Sequence, residues 1–275
     1  HIFILRPKEG AKRRSRLLLI AATAIWTAYN DWGGSNHYQG SCGPNGDRFS
    51  PVLSTARPFA KGFVSLPPDA PRAVLMDEPP IMSEPRYPHM EWAYANGYSK
   101  KYMSSGWASF ERHFVLWAER EGYALDIISQ TDLHYRPELL EGYSCVALIG
   151  HDEYWSWEMR DAIDRYVERG GHVARFAGNF MWQIRLENEG QRQVCYKYMA
   201  REEDPLMHRG PRHLVTESWE APEIGRPGAA SFGLNATHGL YASWSGCSPR
   251  GAKGFPVYRP EHWAFANTGL YYGDV

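Results

Sequence analysis

Short runs of apolar residues alternate, over the first two thirds of the chain, with segments whose apolar residues repeat at helical spacing. Four runs are typical of buried strands, and the segments between them are typical of amphipathic helices. The strands are Leu17–Ala24, Tyr123–Ser129, Cys145–Ile149 and His172–Ala177. The helical segments are one that contains Trp107, Phe110, Phe114 and Trp117, and one from about Ser156 to Arg169. This alternation predicts an α/β fold with a doubly wound, mostly parallel sheet.

Two long parts of the chain lack the alternation. Residues 61–102 are rich in Pro, Met, Tyr and Trp without clear periodicity, which predicts a long inserted loop that could act as a lid. Residues 185–275 are rich in Gly and Pro, which predicts short strands and ordered loops. We expect residues 1–275 to form a single α/β catalytic domain, because a chain of this length can bury a full core. We also expect it to be a piece of a longer polypeptide, since it opens inside an apparent strand.

Composition and charge narrow the classes of function. The formal net charge is −1, and nothing in the charge pattern indicates binding to nucleic acid. The apolar run after the basic residues 8–16 is far shorter than the ~20 residues that cross a bilayer, so no membrane segment is predicted. The four cysteines Cys42, Cys145, Cys195 and Cys247 show no metal-binding spacing, which favours reduced thiols in a cytoplasmic protein.

Polar residues follow the predicted strands at the point where each strand ends. His151, Asp152 and Glu153 come directly after Cys145–Ile149, and Asn179 follows the last strand after one glycine. In open α/β sheets, ligands bind outside the carboxyl ends of the strands. The sequence therefore predicts a functional site at this edge of the sheet.

The residue types at this edge favour metal and acid–base chemistry. In an extended segment, His151 and Glu153 point the same way, which suits one metal ligand beside one acid or base. Tyr29 and Tyr38 lie on either side of a Gly-Gly pair that can fold both phenols toward one point. A phenol has an ordinary pKa near ~10 and ligates only a strongly Lewis-acidic ion, for which ferric iron is the usual candidate.

Four segments together resemble one known family. They are TAYNDWGGSNHY, HDEYWS, AGNFMWQ and FERHFVLWAEREGYALDIISQTDLH, and they occur in the order found in the catalytic domain of the N,N-dimethylformamidase large subunit and its relatives. The resemblance covers Phe3 to Trp182 clearly and the remainder weakly. It implies a flavodoxin-like or class I glutamine-amidotransferase-like core that holds a single iron ion through two tyrosines and a glutamate.

Residue by residue, the resemblance places iron, as Fe³⁺, on Tyr29, Tyr38 and Glu153, with His151 and Asn179 as catalytic residues. It implies an amidohydrolase that cleaves a small linear N-substituted amide to an acid and an amine. We expect His151 to move the proton of water and Asn179 to hydrogen-bond the carbonyl oxygen. The resemblance also implies a homo-oligomer with a possible small accessory subunit. Fewer residues separate the two tyrosines here than in the family's archetype. The identity of the substrate is therefore the property that the resemblance supports least.

Each assignment has a structural competitor. The tyrosines could be half-buried aromatics, Glu153 could cap the following helix, His151 could bind a main-chain carbonyl, and Asn179 could occupy a left-handed turn. Two other functions also stay open. An amidotransferase-like enzyme would need a nucleophilic cysteine, for which Cys145 is badly placed at the start of a strand. A non-catalytic domain of the same fold would bind a ligand or a subunit.

Overall fold

A computed structural model describes residues 2–8, 15–39, 49–71, 88–234 and 256–275. Its strands are β1 (Leu17–Ala21), β2 (Val52–Ser54), β3 (Leu125–Ser129), β4 (Cys145–His151), β5 (Tyr154–Ser156), β6 (His172–Gly178), β7 (Trp182–Glu187) and β8 (Arg192–Val194). Its α-helices are α1 (Thr23–Tyr29), α2 (Pro88–Asn96), α3 (Glu111–Arg120), α4 (Gln130–Tyr135), α5 (Trp157–Glu168), α6 (Ala200–Glu203), α7 (Pro205–Arg209) and α8 (Ala229–Phe232).

The central sheet contains the four predicted strands in the order β3-β1-β4-β6, and every neighbouring pair is parallel. The prediction of a parallel sheet is therefore confirmed. The chain moves to one side of β1 to form β3 and to the other side to form β4. A crevice forms at such a reversal, outside the carboxyl ends of the two strands on either side of it. The segments after β1 and β4 carry most of the predicted site residues.

The two faces of this sheet differ in how fully they are covered. Leu18, Ile20, Val146 and Leu148 belong to the large core on one face, where α1, α4 and α5 pack. The alternate residues of the same strands form a smaller cluster on the other face, against α3 and Trp107. This alternation follows from the two-residue period of a strand. Burial of β1 and β4 on both faces explains why these two strands are continuous apolar runs.

A second, mixed sheet was not predicted. Its order is β2-β8-β7-β5, in which β5 and β7 are parallel and the other two pairs are antiparallel. Only Asp152 and Glu153 separate β4 in the first sheet from β5 in the second. The two carboxylates therefore lie where the chain passes from one sheet to the other.

Helix α5 agrees with its prediction, whereas α3 begins later than expected. Ser156 caps α5 through its hydroxyl, which accepts a hydrogen bond from the main-chain N–H of Met159. Helix α3 starts at Glu111, so Trp107 and Phe110 precede it and only the later half of the aromatic repeat is helical. Glu111 is buried and accepts hydrogen bonds from the Ala22 N–H and the Trp26 indole.

The segment after β1 was predicted as more strand followed by a loop, and this is wrong. The strand ends at Ala21, and α1 follows from Thr23 to Tyr29. Nearly every side chain of α1 is buried, so the helix has no polar face to give the sequence a helical period. Buried helix segments and buried strands have the same uniformly apolar sequence over so short a length.

The two irregular parts contain more helix than predicted. Residues 61–102 include α2, while 72–87 lie outside the described residues, so the lid stays a prediction. After residue 185 the short strand β8 is present, but short helices are more frequent than the predicted strands. Cys145 and Cys195 are free thiols, as predicted, and Cys42 and Cys247 lie outside the described residues.

The chain divides into two compact units, residues 1–72 with 88–238 and residues 73–87 with 239–275. In the second unit the structure describes residues 256–275, which contain a 3₁₀ turn at Trp263–Phe265. Main-chain hydrogen bonds join Val257 to Asp274 and Gly273 to Val257. None of the helices described is both long enough and apolar enough to cross a membrane.

Candidate active site

The carboxylate of Glu153 is the centre of a buried cluster beyond β4. Its Oε2 accepts a hydrogen bond from the Tyr38 phenol at 2.8 Å and from the Tyr29 phenol at 3.2 Å. The Nε2 atom of His151 lies 3.4 Å from the same oxygen. The other oxygen, Oε1, accepts a hydrogen bond from the Trp182 indole at 2.7 Å. The structure thus brings together Tyr29, Tyr38, Glu153 and His151.

The loop after α1 brings the two tyrosines side by side. Tyr29 is the last residue of α1, and Gly33 and Gly34 reverse the chain with φ values of +82° and +87°, which glycine adopts without strain. The returning segment is fixed to α1, since the main-chain N–H of His37 donates to the Ala28 carbonyl at 3.0 Å. As a result the rings of Tyr29 and Tyr38 lie 4.5 Å apart.

Arg57 holds this loop from outside. Its guanidinium donates to four main-chain carbonyls of the α1 segment and of the loop between the tyrosines. These are Thr27 at 3.3 Å, Asn30 at 3.1 Å, Trp32 at 3.1 Å and Ser35 at 2.7 Å. One side chain therefore connects the end of α1 with the turn that positions Tyr38.

The orientation of His151 is set by a main-chain carbonyl. The Nδ1 atom lies 2.7 Å from the Ser104 oxygen, and because a carbonyl can only accept, Nδ1 carries the hydrogen. Nε2 therefore faces Glu153 as the atom that gains or loses a proton. Burial lowers the pKa of His151, but the hydrogen bond and charge of Glu153 outweigh burial, so its pKa is raised. The side chain is 21% exposed, against 4% for Glu153.

The charge of Glu153 is supported by its neighbours, whereas the phenols resist ionisation. Burial raises the pKa of Glu153, but the hydrogen bond and charge of His151, followed by the charge of Lys197, outweigh it and lower the pKa. Burial first, and then the negative charge of Glu153, hold the pKa of Tyr38 well above its ordinary value of 10. Tyr154 has a similarly raised pKa, mainly from burial, and its hydroxyl donates to the Tyr38 oxygen at 2.7 Å.

A buried lysine that the sequence reading missed packs on this cluster. The Lys197 ammonium lies 3.2 Å from the centre of the Tyr38 ring and 5.1 Å from the Trp182 ring, and the residue is 1% exposed. Burial lowers its pKa to about 8, although the charge of Glu153 opposes the shift. Lys197 has a left-handed backbone, φ +53°, which is uncommon for a residue other than glycine.

His37 lies behind the tyrosines and is neutral. Burial lowers its pKa to about 3, and its Nδ1 atom lies 2.7 Å from the Ser50 carbonyl. Its ring stacks on Tyr154 at 5.8 Å. The Nε2 atom has no hydrogen-bond partner among the described residues. His37 therefore packs against Tyr154 as a neutral ring.

Asp152 points into a different environment from its neighbour Glu153. The Arg175 guanidinium donates to Asp152 Oδ2 at 2.8 Å and to its main-chain oxygen at 3.1 Å. Oδ1 accepts hydrogen bonds from Gln130 and from the Trp155 indole. Burial raises the pKa of Asp152, and the charge of Arg175 opposes that shift. Asp152 therefore joins β4, α4, β5 and β6 below the site.

Asn179 lies at the predicted edge, but among the described residues it has no hydrogen bond to the cluster. It follows Gly178, which is the register partner of His151 at the end of β6. Its φ of +52° confirms the left-handed turn. Within the described residues its side chain makes no hydrogen bond. Its catalytic role stays a prediction.

The structure bears differently on the structural alternatives to each functional assignment. Glu153 does not cap α5, because β5 intervenes and Ser156 is the cap. His151 does bind a main-chain carbonyl, but through the nitrogen that faces away from Glu153. A phenol that donates to a buried carboxylate is also what a metal-free polar cluster would show, so the assignment of Tyr29 and Tyr38 as iron ligands stays a prediction.

Sequence reasoning missed Tyr154, Trp182 and Lys197 as parts of the site. Trp182 is buried, and its indole N–H donates to Glu153. The sequence did contain one indication of Lys197. The lysine lies between Tyr196 and Tyr198, in a segment whose other residues are typical of a buried segment. A lysine among aromatics is a frequent cation–π pattern, but it does not identify its partner ring.

The donor atoms fit a hard metal ion. Within the described residues there is no group of three or more His, Cys, Asp or Glu side chains that could hold a metal. The three candidate donors differ from such a group, because two of them are the phenols of Tyr29 and Tyr38 and only Glu153 is a carboxylate. Oxygens bound at about 2 Å to one ion lie ~2.8 Å apart in octahedral and ~3.3 Å apart in tetrahedral geometry. The Glu153 Oε2 atom lies 2.8 Å and 3.2 Å from the two phenols, which matches that range.

Comparisons with known proteins agree on one family. The profile described as "N,N-dimethylformamidase beta subunit-like, C-terminal" matches residues 1–275. The N,N-dimethylformamidase beta subunits of an Alcaligenes species and of Paracoccus aminophilus are each 27% identical over 128 residues, which is 46% of this chain. The matched segment spans 15% of the length of each relative.

Proposed function

Because the chain belongs to the N,N-dimethylformamidase beta subunit-like, C-terminal family, we propose that it is an iron-dependent amidohydrolase. Its substrate would be a small linear N-substituted amide of the formamide type, cleaved by water to a carboxylic acid and an amine. The observation that carries the proposal is the convergence of the Tyr29 and Tyr38 phenols and the His151 imidazole on one oxygen of Glu153.

Tyr29, Tyr38 and Glu153 would hold the iron, as Fe³⁺. Two phenolates and a carboxylate supply three negative charges from hard oxygen donors, which suit a small trivalent ion. When bound, ferric iron supplies Lewis acidity that polarises an amide carbonyl or a water molecule. Burial and the charge of Glu153 raise the pKa of Tyr38, so its binding as a phenolate would require a metal cation that outweighs both.

His151 would move the proton. Its Nδ1–H is held by the Ser104 carbonyl, so Nε2 is the exchanging atom and already points into the cluster. Nε2 would accept a proton as water attacks the amide carbon and return it to the nitrogen as the C–N bond breaks. The exposure of His151 places it on the more open side of the site, where substrate would enter.

Lys197 and Trp182 would tune the ligands. The Lys197 ammonium packs on the Tyr38 ring, so its charge favours a negative charge on the Tyr38 oxygen. The Trp182 indole fixes Glu153 Oε1 and leaves Oε2 to face the phenols. Asn179, whose side chain bonds to no described residue, would donate a hydrogen bond to the substrate carbonyl.

The remaining properties of the proposal concern the fold and the assembly. The strand order β3-β1-β4-β6 supports a flavodoxin-like or amidotransferase-like core, because flavodoxin-type sheets also place their first strand between the second and third. The relatives are named beta subunits, which supports a homo-oligomer that also contains a small accessory subunit. A cytoplasmic location stays an expectation, supported by the free thiols of Cys145 and Cys195.

The amidotransferase-like alternative needs a reactive cysteine, and neither described cysteine fits. Burial raises the pKa of the Cys145 thiol, which lies at the opposite end of β4 from His151. Burial raises the pKa of Cys195 to about 12. Both therefore stay thiols near neutral pH, and a thiol is a poor nucleophile. The non-catalytic alternative remains as an outcome of the test below.

The test combines metal analysis with hydrolysis. We expect the purified chain to carry about one iron ion and to show a phenolate-to-iron charge-transfer band. It should release dimethylamine from N,N-dimethylformamide. A protein that binds the amide without metal and without hydrolysis would support a binding domain. Hydrolysis that persists in iron-free protein would overturn the proposed role of iron.

A further inference from the structure

Among the residues that the structure describes, strand β6 is an open edge of the central sheet. It pairs with β4 on one side, and no described strand pairs with its other side. The His172 N–H donates to the Ser144 carbonyl and the Gly178 carbonyl accepts from the Asp152 N–H, so the main-chain groups of these two residues point toward β4. Because the direction alternates along a strand, those of Val173, Arg175 and Ala177 point outward. Their six main-chain groups bond to no described residue.

This edge lacks the features that usually prevent pairing. Proteins protect sheet edges with prolines, lysines, bulges or charges that would be buried by a new strand. β6 is seven residues long, HVARFAG, with neither proline nor lysine. Its single arginine, Arg175, is already bound to Asp152 and packs on the rings of Phe180 and Phe232. An approaching strand would therefore bury no uncompensated charge.

No described residue covers the exposed ring of Phe176 on the sheet face beside this edge. Phe176 is 68% exposed although it lies in register with the buried Ile149. His172 and Ala174 share the face of Phe176, since they are separated from it by even numbers of residues. The chain passes from β6 directly into β7 of the other sheet, without a helix between the two strands that could return over this part of the face. An exposed aromatic beside unpaired main-chain groups marks a surface for another strand.

We propose that two copies of this chain associate through β6, which pairs antiparallel with the β6 of the second copy about a twofold axis at Ala174. This goes beyond the proposed hydrolysis and does not depend on it.

The sequence of β6 is complementary to itself in this register. Ala174 faces Ala174 at the axis, where small side chains allow close approach. Phe176 of one copy faces His172 of the other, so each exposed aromatic ring is covered. Arg175 faces Val173, whereas an axis at Arg175 would set two arginines opposite each other, which is destabilising. The outward main-chain groups of Val173 and Arg175 then bond reciprocally across the axis.

The first test is a cysteine at the axis. Directly opposed residues of a non-hydrogen-bonded antiparallel pair have Cα atoms ~4.5 Å apart, within the range of a disulfide. In a Cys145→Ser background, Ala174→Cys should form a covalent dimer under mild oxidation. Ala177→Cys is the control, because two residues 177 would lie roughly 20 Å apart along the paired strands. Equal crosslinking of both variants, or none at 174, would overturn the register.

The second test removes the outward N–H. Val173→Pro deletes a donor that faces away from β4, a position where a strand tolerates proline. The dimer dissociation constant from analytical ultracentrifugation should rise at least about tenfold, because two main-chain hydrogen bonds are lost. Val173→Ala is the matched control, which loses side-chain contacts but keeps the N–H, and should stay within about threefold. A parent chain that is monomeric at tens of micromolar would overturn the proposal. If Val173→Pro does not fold, the crosslinking result decides.

Discussion

Asp152 and Glu153 are adjacent buried carboxylates with opposite kinds of partner. Asp152 is matched by a permanent cation, Arg175, and by two neutral donors. Glu153 is surrounded by two phenols and an imidazole, which are groups that can lose or exchange a proton. The two carboxylates are thus equally buried. They differ in whether their partners can give up a proton, and this difference distinguishes a structural carboxylate, Asp152, from a candidate ligand, Glu153. Substitutions at Glu153 and its partners should therefore affect iron binding and hydrolysis, whereas substitution of the partner of Asp152 should affect stability.

The largest effect is expected at Glu153. Glu153→Gln keeps the shape and an acceptor oxygen but removes the negative charge, so the iron should be lost and hydrolysis should fall at least about 10⁴-fold. Iron content and amine release measure the two losses. Glu121→Gln, an exposed residue after α3, should change neither. A Glu153→Gln protein that keeps its iron would remove Glu153 from the ligand set.

His151→Ala should separate proton transfer from metal binding. Hydrolysis should fall by about 10²–10⁴-fold, as expected when acid–base assistance is lost. Iron content and the charge-transfer band should persist, because His151 contacts Glu153 but is not one of the proposed ligands. His113→Ala, at an exposed position of α3, is the control. Loss of iron from His151→Ala would show instead that the histidine is a ligand.

Disturbing Asp152, the structural carboxylate, should lower stability without affecting iron binding. Arg175→Met leaves Asp152 buried without its cation, which should reduce the free energy of unfolding by about 3–5 kcal/mol. The iron content of the remaining folded protein should be unchanged, because Arg175 contacts Asp152 and not Glu153. Chemical denaturation and metal analysis check both parts. Arg120→Met, at the exposed end of α3, should cost less than about 0.5 kcal/mol.

Glu111 extends the comparison to a carboxylate with only neutral donors. Burial raises its pKa to about 7 from the model-peptide value of 4.5. The folded state therefore keeps a proton that the unfolded state has lost, and stability falls as pH rises from about 4.5 to about 7. Glu111→Gln should flatten this part of the stability curve, by roughly 2–3 kcal/mol between the two limits. The free energy of unfolding of both proteins can be measured at pH 5 and pH 8. If it changes by the same amount in the parent and in Glu111→Gln, the raised pKa of Glu111 is contradicted.

The smallest effect concerns the spectrum. Tyr38→Phe removes one phenol without removing the ring, so the charge-transfer band should weaken or shift while the remaining donors hold some iron. Tyr135→Phe, a partly exposed tyrosine of α4, should leave the band unchanged. If Tyr38→Phe leaves the band as it was, the colour does not come from Tyr38.

The sequence identified the central sheet because its two inner strands, β1 and β4, are continuous apolar runs and polar residues follow the strand ends. It missed α1 because a helix buried on all sides has no polar period. The resemblance provided Tyr29, Tyr38 and Glu153, and their side-chain contacts span 124 and 115 residues, which no local pattern can show. The contacts of Arg57 and His151 are to main-chain carbonyls, whose positions depend on the folded loops. Lys197 was missed because its aromatic partner, Tyr38, is distant in sequence.

The four carbonyl contacts of Arg57 have a consequence for the kinetics of ligand capture. A free loop of this length would lose about 1–2 kcal/mol of conformational entropy per ordered residue when it closed on a ligand. Arg57 makes that loss part of folding, so the folded chain itself holds the two phenols side by side. If the chain binds iron as proposed, the arriving cation would have to displace protons but would not have to order the loop, so its rate of binding should depend more on pH than on temperature.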